Sequence, residues 1–145
     1  MSLMMNRRMR QVPPPAPQDY GKRPYVTDLV AAAVNNRNYR TAIWTGQNLQ
    51  MTLMSIGVNQ DVGLELHDDV DQFLYVVRGS ALVMMGDAED NLTFQQPAAG
   101  GYGIFVPMGT WHNVVNRGRE PLKLFTVYAP PHHPAGTVEV TAPGE

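Results

Sequence analysis

Residues 101–116, GYGIFVPMGTWHNVVN, decide how this chain folds. The run GYGIFV stops at Pro107, turns through PMGT, and resumes as WHNVV. Two short runs rich in β-branched and aromatic residues, joined by a Pro-x-Gly turn, read as consecutive strands. Pro107 presets φ, and Gly109 tolerates the conformation such a turn demands. The turn delivers His112 into the second strand, pointing inward.

Upstream, residues 64–73 read LELHDDVDQF. Glu65 and His67 stand two apart in what reads as a strand, so both side chains face one way. Gln72 opens the next apolar run. Taken singly, Glu65-x-His67 reads as the polar edge of a strand, and His112 as a core histidine. Further outward, the runs RTAIWTG, LQMTLMSIGV, VGLELH, QFLYVV, SALVMM, YGIFV, WHNVV and LKLFTVYA read as strands. Between them lie the turns TGQN, GVNQD, HDDVD, RGS, GDAEDN, PMGT and NRGREP. Many short strands without βαβ alternation predict an antiparallel sandwich or barrel. Thr27 or Asp28 caps one short helix through LVAAAVNN. The segment after Ala129, PPHHPAGTVEVTAPGE, is too proline-rich for a central strand.

Composition narrows the function classes. The chain has 145 residues, 43% of them hydrophobic, enough for one packed domain. A net charge of -2 gives no case for nucleic acid or an anionic membrane. Arg7, Arg8 and Arg10 lack aromatic partners and read as a solvated tail. Cysteine is absent, which removes disulfides, thiolate zinc sites and thiol nucleophiles. The first residues lack the apolar core of a signal peptide, and no apolar run approaches the ~20 residues of a bilayer span. A soluble cytoplasmic protein is expected. Ser2, Ser55 and Ser80 have no nucleophile-elbow context, and no glycine loop cradles a phosphate.

The series Gly101-x5-Pro107-x-Gly109-x2-His112-x3-Asn116 resembles the second conserved motif of the cupin superfamily. The first cupin motif, G-x5-H-x-H-x3-4-E-x6-G, is matched in altered form. Counting back from Gly79, Gln72 stands at the glutamate position, His67 at the second histidine and Glu65 at the first. The leading glycine is out of register, at Gly63. RTAIWTG, GLELHDDVDQF, VPMGTWHNVVN and PLKLFTVYAPPHHPAGTV make the chain similar, over about residues 25–140, to a bacterial subfamily of small single-domain cupins. Members of that subfamily often carry the same Glu-x-His and Gln arrangement.

The resemblance implies an all-β fold, a cupin double-stranded β-helix or jelly-roll barrel with a short N-terminal helix. It implies a proline-rich arm over 1–24, a barrel over 25–135 and a tail over 136–145. It also implies a metal held by Glu65, His67, Gln72 and His112, and a homodimer formed by strand exchange through the arm and RTAIWTG. Two imidazoles, a carboxylate and an amide suit one divalent ion: Zn, Fe, Mn, Ni or Co. With an open coordination position, such a centre suits a metal-dependent enzyme of oxygenase, isomerase or lyase type. A small, anionic organic molecule is the expected ligand. The alternative is a non-catalytic module that binds a small molecule or the metal. No catalytic residue is assigned.

Other residues have plainer expected roles. Asp68, Asp69 and Asp71 read as solvated turn residues. His132 and His133 read as a surface or subunit contact, or a lip over the pocket mouth. Met51, Met54, Met84 and Met85 read as core filler, Met108 as a rim residue, and Trp44 and Trp111 as packing. Leu74, Val76 and Ile104 or Phe105 should line the interior. Tyr75 and Tyr102 are candidate sources of a hydroxyl acid or base, though alternation from Gln72 turns Tyr75 away from the metal.

Overall fold

The computed structural model describes residues 19–143. One helix and nine strands follow in order. They are α1 (Leu29–Asn35), β1 (Arg40–Thr45), β2 (Gln50–Ile56), β3 (Asp71–Arg78), β4 (Ser80–Gly86), β5 (Phe94–Ala99), β6 (Gly103–Val106), β7 (Trp111–Asn116), β8 (Leu122–Ala129) and β9 (Val138–Glu139). Two antiparallel sheets form, ordered β6-β3-β8-β2-β1-β9 and β5-β4-β7. They enclose one core in the jelly-roll manner expected from the sequence. No helix among the described residues is long and apolar enough to cross a membrane.

Alternation sets the interior. β3, β4, β7 and β8 bury every second residue. Across the larger sheet the inward residues form rows. Gln50, Tyr128, Gln72 and Val106 share one level, and Thr52, Thr126, Leu74 and Ile104 the next. Below them come Met54, Leu124 and Val76, then Ile56 with Leu122. The barrel is therefore polar at one end and aliphatic at the other. The Thr52 and Thr126 hydroxyls satisfy each other at 2.6 Å, which lets two buried polar groups sit at the boundary.

α1 begins at Asp28, whose carboxylate accepts from the Ala31 N–H at 3.1 Å. It covers the outer face of the larger sheet, packing Ala33 against Ile43 and Leu53. A bulge between Ala42 and Trp44 re-aims β1. Before it, Arg40 and Ala42 share the inner face with their β2 partners Met54 and Thr52.

Two expectations need correction. VGLELH is not a strand: its backbone is held by a single bridge, Glu65 to His112, with another just before it, Asp61 to Val115. Gly63, at φ +100°, breaks the extended run between them. Conversely, FQQPAA forms β5, which the sequence reading left out. Its Pro97 is tolerated because β5 is the outer strand of its sheet.

The expected arm falls largely outside the described residues, as do the Arg7, Arg8 and Arg10 cluster and Glu145. Its last residues, from Asp19, are anchored. The Asp19 carboxylate accepts from the N–H groups of Gly21, Thr45 and Gly136 and from the Thr45 hydroxyl. The tail supplies an edge strand, β9, which pairs with β1 and is not a central strand.

Candidate metal centre

The turn before β7 and the segment before β3 are stitched together. Glu65 and His112 exchange both backbone hydrogen bonds at 3.0 Å, which places their side chains on one face. The His67 carbonyl accepts from Gly109 N–H at 2.8 Å. The Asp71 carboxylate accepts from Met108 N–H at 2.9 Å. Asp71 is thus a structural clasp, which refines its reading as a solvated turn residue. Gly109 sits at φ +76° with nothing within 4 Å of where a Cβ would stand. Backbone angle rather than crowding demands glycine there.

These ties gather one potential ligand atom each from Glu65, His67 and His112 to within 4.8 Å of one another. His112 is 1% exposed. Its Nδ1 stands 2.9 Å from the Thr110 carbonyl, which takes the ring proton there and leaves Nε2 with a lone pair. That Nε2 is buried and has no partner. Nε2 of His67 lies 3.0 Å from Oε2 of Glu65, a close contact that does not meet full hydrogen-bond geometry. Gln72 faces the same interior from β3, and its buried Oε1 is likewise unpartnered. Among described residues, the buried side-chain atoms left without partners belong to His67, Gln72, His112 and Arg40. Three of these four are residues that the motif spacing singles out.

The sequence reading missed several groups around the cluster. Gln50, fully buried, clamps the segment after β8. Its Oε1 accepts from the His132 and His133 N–H groups at 3.1 and 2.9 Å, and its Nε2 donates to the His133 carbonyl at 2.8 Å. This holds the His132 ring 4.2 Å from that of His67, centroid to centroid. His133 turns instead to the Tyr128 hydroxyl, 3.3 Å from its Nε2. His132, itself exposed, therefore lies beside His67 at the edge of the cluster. Arg40 enters the interior from β1 and pairs with Glu139. Alternation alone could have flagged Gln50 and Tyr128 as inward polar residues. Nothing local marks Arg40.

The lining residues Leu74, Val76 and Ile104 point inward and are buried, whereas Phe105 is exposed on the outside. Tyr75 stacks on Phe125 on the outer face, as alternation predicts. Tyr102, Met108 and the Trp44 indole lie away from the interior, the last donating to the Arg23 carbonyl. Met54 and Met85 are core residues, and Met51 packs under α1.

Burial opposes the Glu65 charge, yet neighbouring His67, with Arg40 and His112, holds its carboxyl below the usual range. Burial pushes His112 down, only partly countered by the Thr110 carbonyl. Burial also lowers His132. His133 is pushed from 6.5 to about 4 by burial, with Arg40 and His132 adding repulsion. A histidine depressed on folding takes up a proton when the chain unfolds, so its stabilising contribution is whole above pH 6.5 and is lost on the way down to about 4. Glu65 acts in the same direction at lower pH. The melting temperature of chelator-treated protein should therefore fall steadily from pH 7 to pH 4, and His133→Gln should flatten the upper part of that slope. A flat profile would contradict the buried neutral histidines.

Comparison with known proteins agrees with this architecture. Over 124 residues the chain is 50% identical to the uncharacterized protein YrkC of Bacillus subtilis (strain 168), covering 86% of this chain and 67% of that one. It is 33% identical over 120 residues to the uncharacterized protein L612 of Acanthamoeba polyphaga mimivirus, covering 82% and 73% respectively. The crystal structure of BH2720 from Bacillus halodurans superposes with a TM-score of 0.84 at 52% identity, over 85% of this chain and 93% of that one. A family model described as a cupin domain matches residues 52–128, a span that contains Glu65, His67, Gln72, His112 and Tyr128. The chain belongs to the cupin domain family.

Proposed function

We propose that this cupin is a metal-dependent enzyme of oxygenase, isomerase or lyase type. In this reading Glu65, His67, Gln72 and His112 hold one divalent ion, and a small anionic organic molecule binds beside it. The observation that carries the reading is the convergence of three buried, unpartnered groups, His67 Nε2, His112 Nε2 and Gln72 Oε1, on the interior that also holds Glu65. A buried acceptor left unsatisfied costs about 1–3 kcal/mol, so His112 Nε2 and Gln72 Oε1 beside Glu65 and His67 suit a cation. A mixed N and O donor set suits Zn, Fe, Mn, Ni or Co. When bound, the ion supplies Lewis acidity, or an open position for oxygen, at the mouth of the apolar interior.

The chain's own residues prepare that chemistry. Thr110 fixes the His112 tautomer, the role that outer hydrogen bonds play for metal-binding histidines. Leu74, Val76 and Ile104 keep water from the inner wall. Glu65, with a third of its side-chain surface exposed, stands on the solvent side, where a ligand would enter. One carboxylate against a divalent ion leaves a charge of about +1, which favours carboxylates and enolates. Gln72, a neutral and weaker ligand than glutamate, is suited to yield its place to the incoming molecule. Gln72→Glu should therefore tighten metal binding and weaken carboxylate binding, both readable by calorimetry.

The direct test is elemental analysis of purified protein. Reconstitution with Fe(II) under oxygen, and with the other ions, then follows, using small carboxylates, diketones and phenolics as substrates. Chemical change seen by NMR, or oxygen uptake, supports the enzyme. A ligand retained unchanged under every metal identifies a non-catalytic binding module instead.

The homodimer belongs to the same proposal. A groove of about 390 Å³ lined by Tyr25, Val26, Leu29, Ile43, Trp44, Leu49 and Met51 offers an apolar face for a second copy. β1 is already paired on both edges, so the contact would use this face or exchange β9. Sedimentation should give twice the 16.1 kDa chain mass, and a strict monomer would refute it.

A further inference from the structure

The cluster accounts for three of the buried unpartnered side chains, and Arg40 is the fourth. It opens β1 on the inner face, opposite Met54 and Glu139, and is 2% exposed. Its guanidinium lies over the Tyr39 ring, 5.0 Å from the centroid. Nη1 pairs with Glu139, while Nε and Nη2 are buried without a hydrogen bond of good geometry, although the Tyr39 and Tyr128 hydroxyls stand near the guanidinium. These two nitrogens form one side of the guanidinium, the fork that matches the two oxygens of a carboxylate. Arg40 shares the inner face of the larger sheet with Gln72 of the proposed metal centre. Glu139, about a quarter exposed on a two-residue edge strand, neutralises only one corner of it. A buried cation whose donors are not all well engaged is costly unless a ligand completes it.

We propose that Arg40 is the docking residue for a carboxylate of the small molecule, taken side-on by Nε and Nη2, with the rest of that molecule extending toward Glu65, His67 and His112. The inference rests on the anionic ligand of the proposed function and deepens it by naming a carboxylate. It divides labour inside the barrel. Arg40 binds and orients one end, and the metal centre receives the other. His132 and His133, held over the interior by Gln50, border the path between solvent and both.

The test uses the full chain with 15N-labelled arginine, both chelator-treated and zinc-loaded, titrated with acetate, malonate, succinate and inorganic phosphate. The Arg40 Nε resonance, identified by its loss in Arg40→Lys, should shift saturably with at least one carboxylate. Arg40→Lys keeps the charge but not the fork, and should weaken that carboxylate at least tenfold while metal content stays at the wild-type level. The idea is overturned if no carboxylate shifts the resonance in either form, if only phosphate does, or if Arg40→Lys binds carboxylate as well as wild type. If Arg40→Lys does not fold, the resonance is identified instead by resolved arginine assignments, and the wild-type titration decides. Failure of the metal reading shows separately, as unchanged metal content in His112→Ala.

Discussion

His112→Ala should leave a folded chain that no longer takes up metal. Loss of an outer hydrogen bond to a ligating histidine already costs 10- to 100-fold in affinity, so deletion of the ligand itself should exceed about 100-fold. The metal-free fold should lose some stability as well, because Ala removes a fully buried ring that packs against His67 and bonds Thr110 through Nδ1. Two melting curves separate the effects. Saturating metal stabilises a folded protein by about 2.7 kcal/mol at a hundred times Kd. Wild type should show that metal-induced rise and His112→Ala should not, each measured against its own chelator-treated baseline. Metal bound equally by both would sink the assignment. A loss of stability in chelator with metal uptake intact would instead make His112 a packing residue.

Asn116→Ala should do the reverse, destabilising the fold strongly without touching the cluster. Asn116 is 2% exposed at the end of β7. Its Nδ2 donates to the carbonyls of Ile56, Gly57 and Glu120 at 3.0, 3.2 and 2.9 Å, and its Oδ1 accepts from Gly118 N–H at 2.8 Å. One side chain thus ties the end of β2 to the turn between β7 and β8. Alanine strands several buried backbone groups, each worth about 1 kcal/mol or more, for a total near 3–4 kcal/mol. For a chain of this size that lowers the melting temperature by roughly 10 °C. Metal stoichiometry at low temperature should be unchanged. A small thermal shift, or lost metal with retained stability, would move Asn116 from the frame of the barrel to its site.

The motif containing Asn116 shows why so much was legible. Short strands with one buried face carry their own register in period two, so QFLYVV, SALVMM, WHNVV and LKLFTVYA could be read residue by residue. Asp28 marked the helix start because its carboxylate bonds locally to Ala31. The rule failed where pairing, not pattern, makes the strand. VGLELH alternates but is held to its partner at single points around Gly63. FQQPAA does not alternate, yet β4 recruits it as an edge.

Sequence alone determined the jelly-roll class and the candidate set Glu65, His67, Gln72 and His112, because spacing within strands and turns is a local property. It also separated inward Gln72 from outward Tyr75, by alternation. Only the tertiary structure decided what surrounds that set. The Arg40–Glu139 pair spans 99 positions, and the Gln50 clamp on His133 spans 83. Such contacts arise when sheets close, and nothing in a short window encodes them. Burial then decides which polar atoms keep a partner and which are left facing the interior, and those remaining atoms are where this protein's chemistry is to be sought.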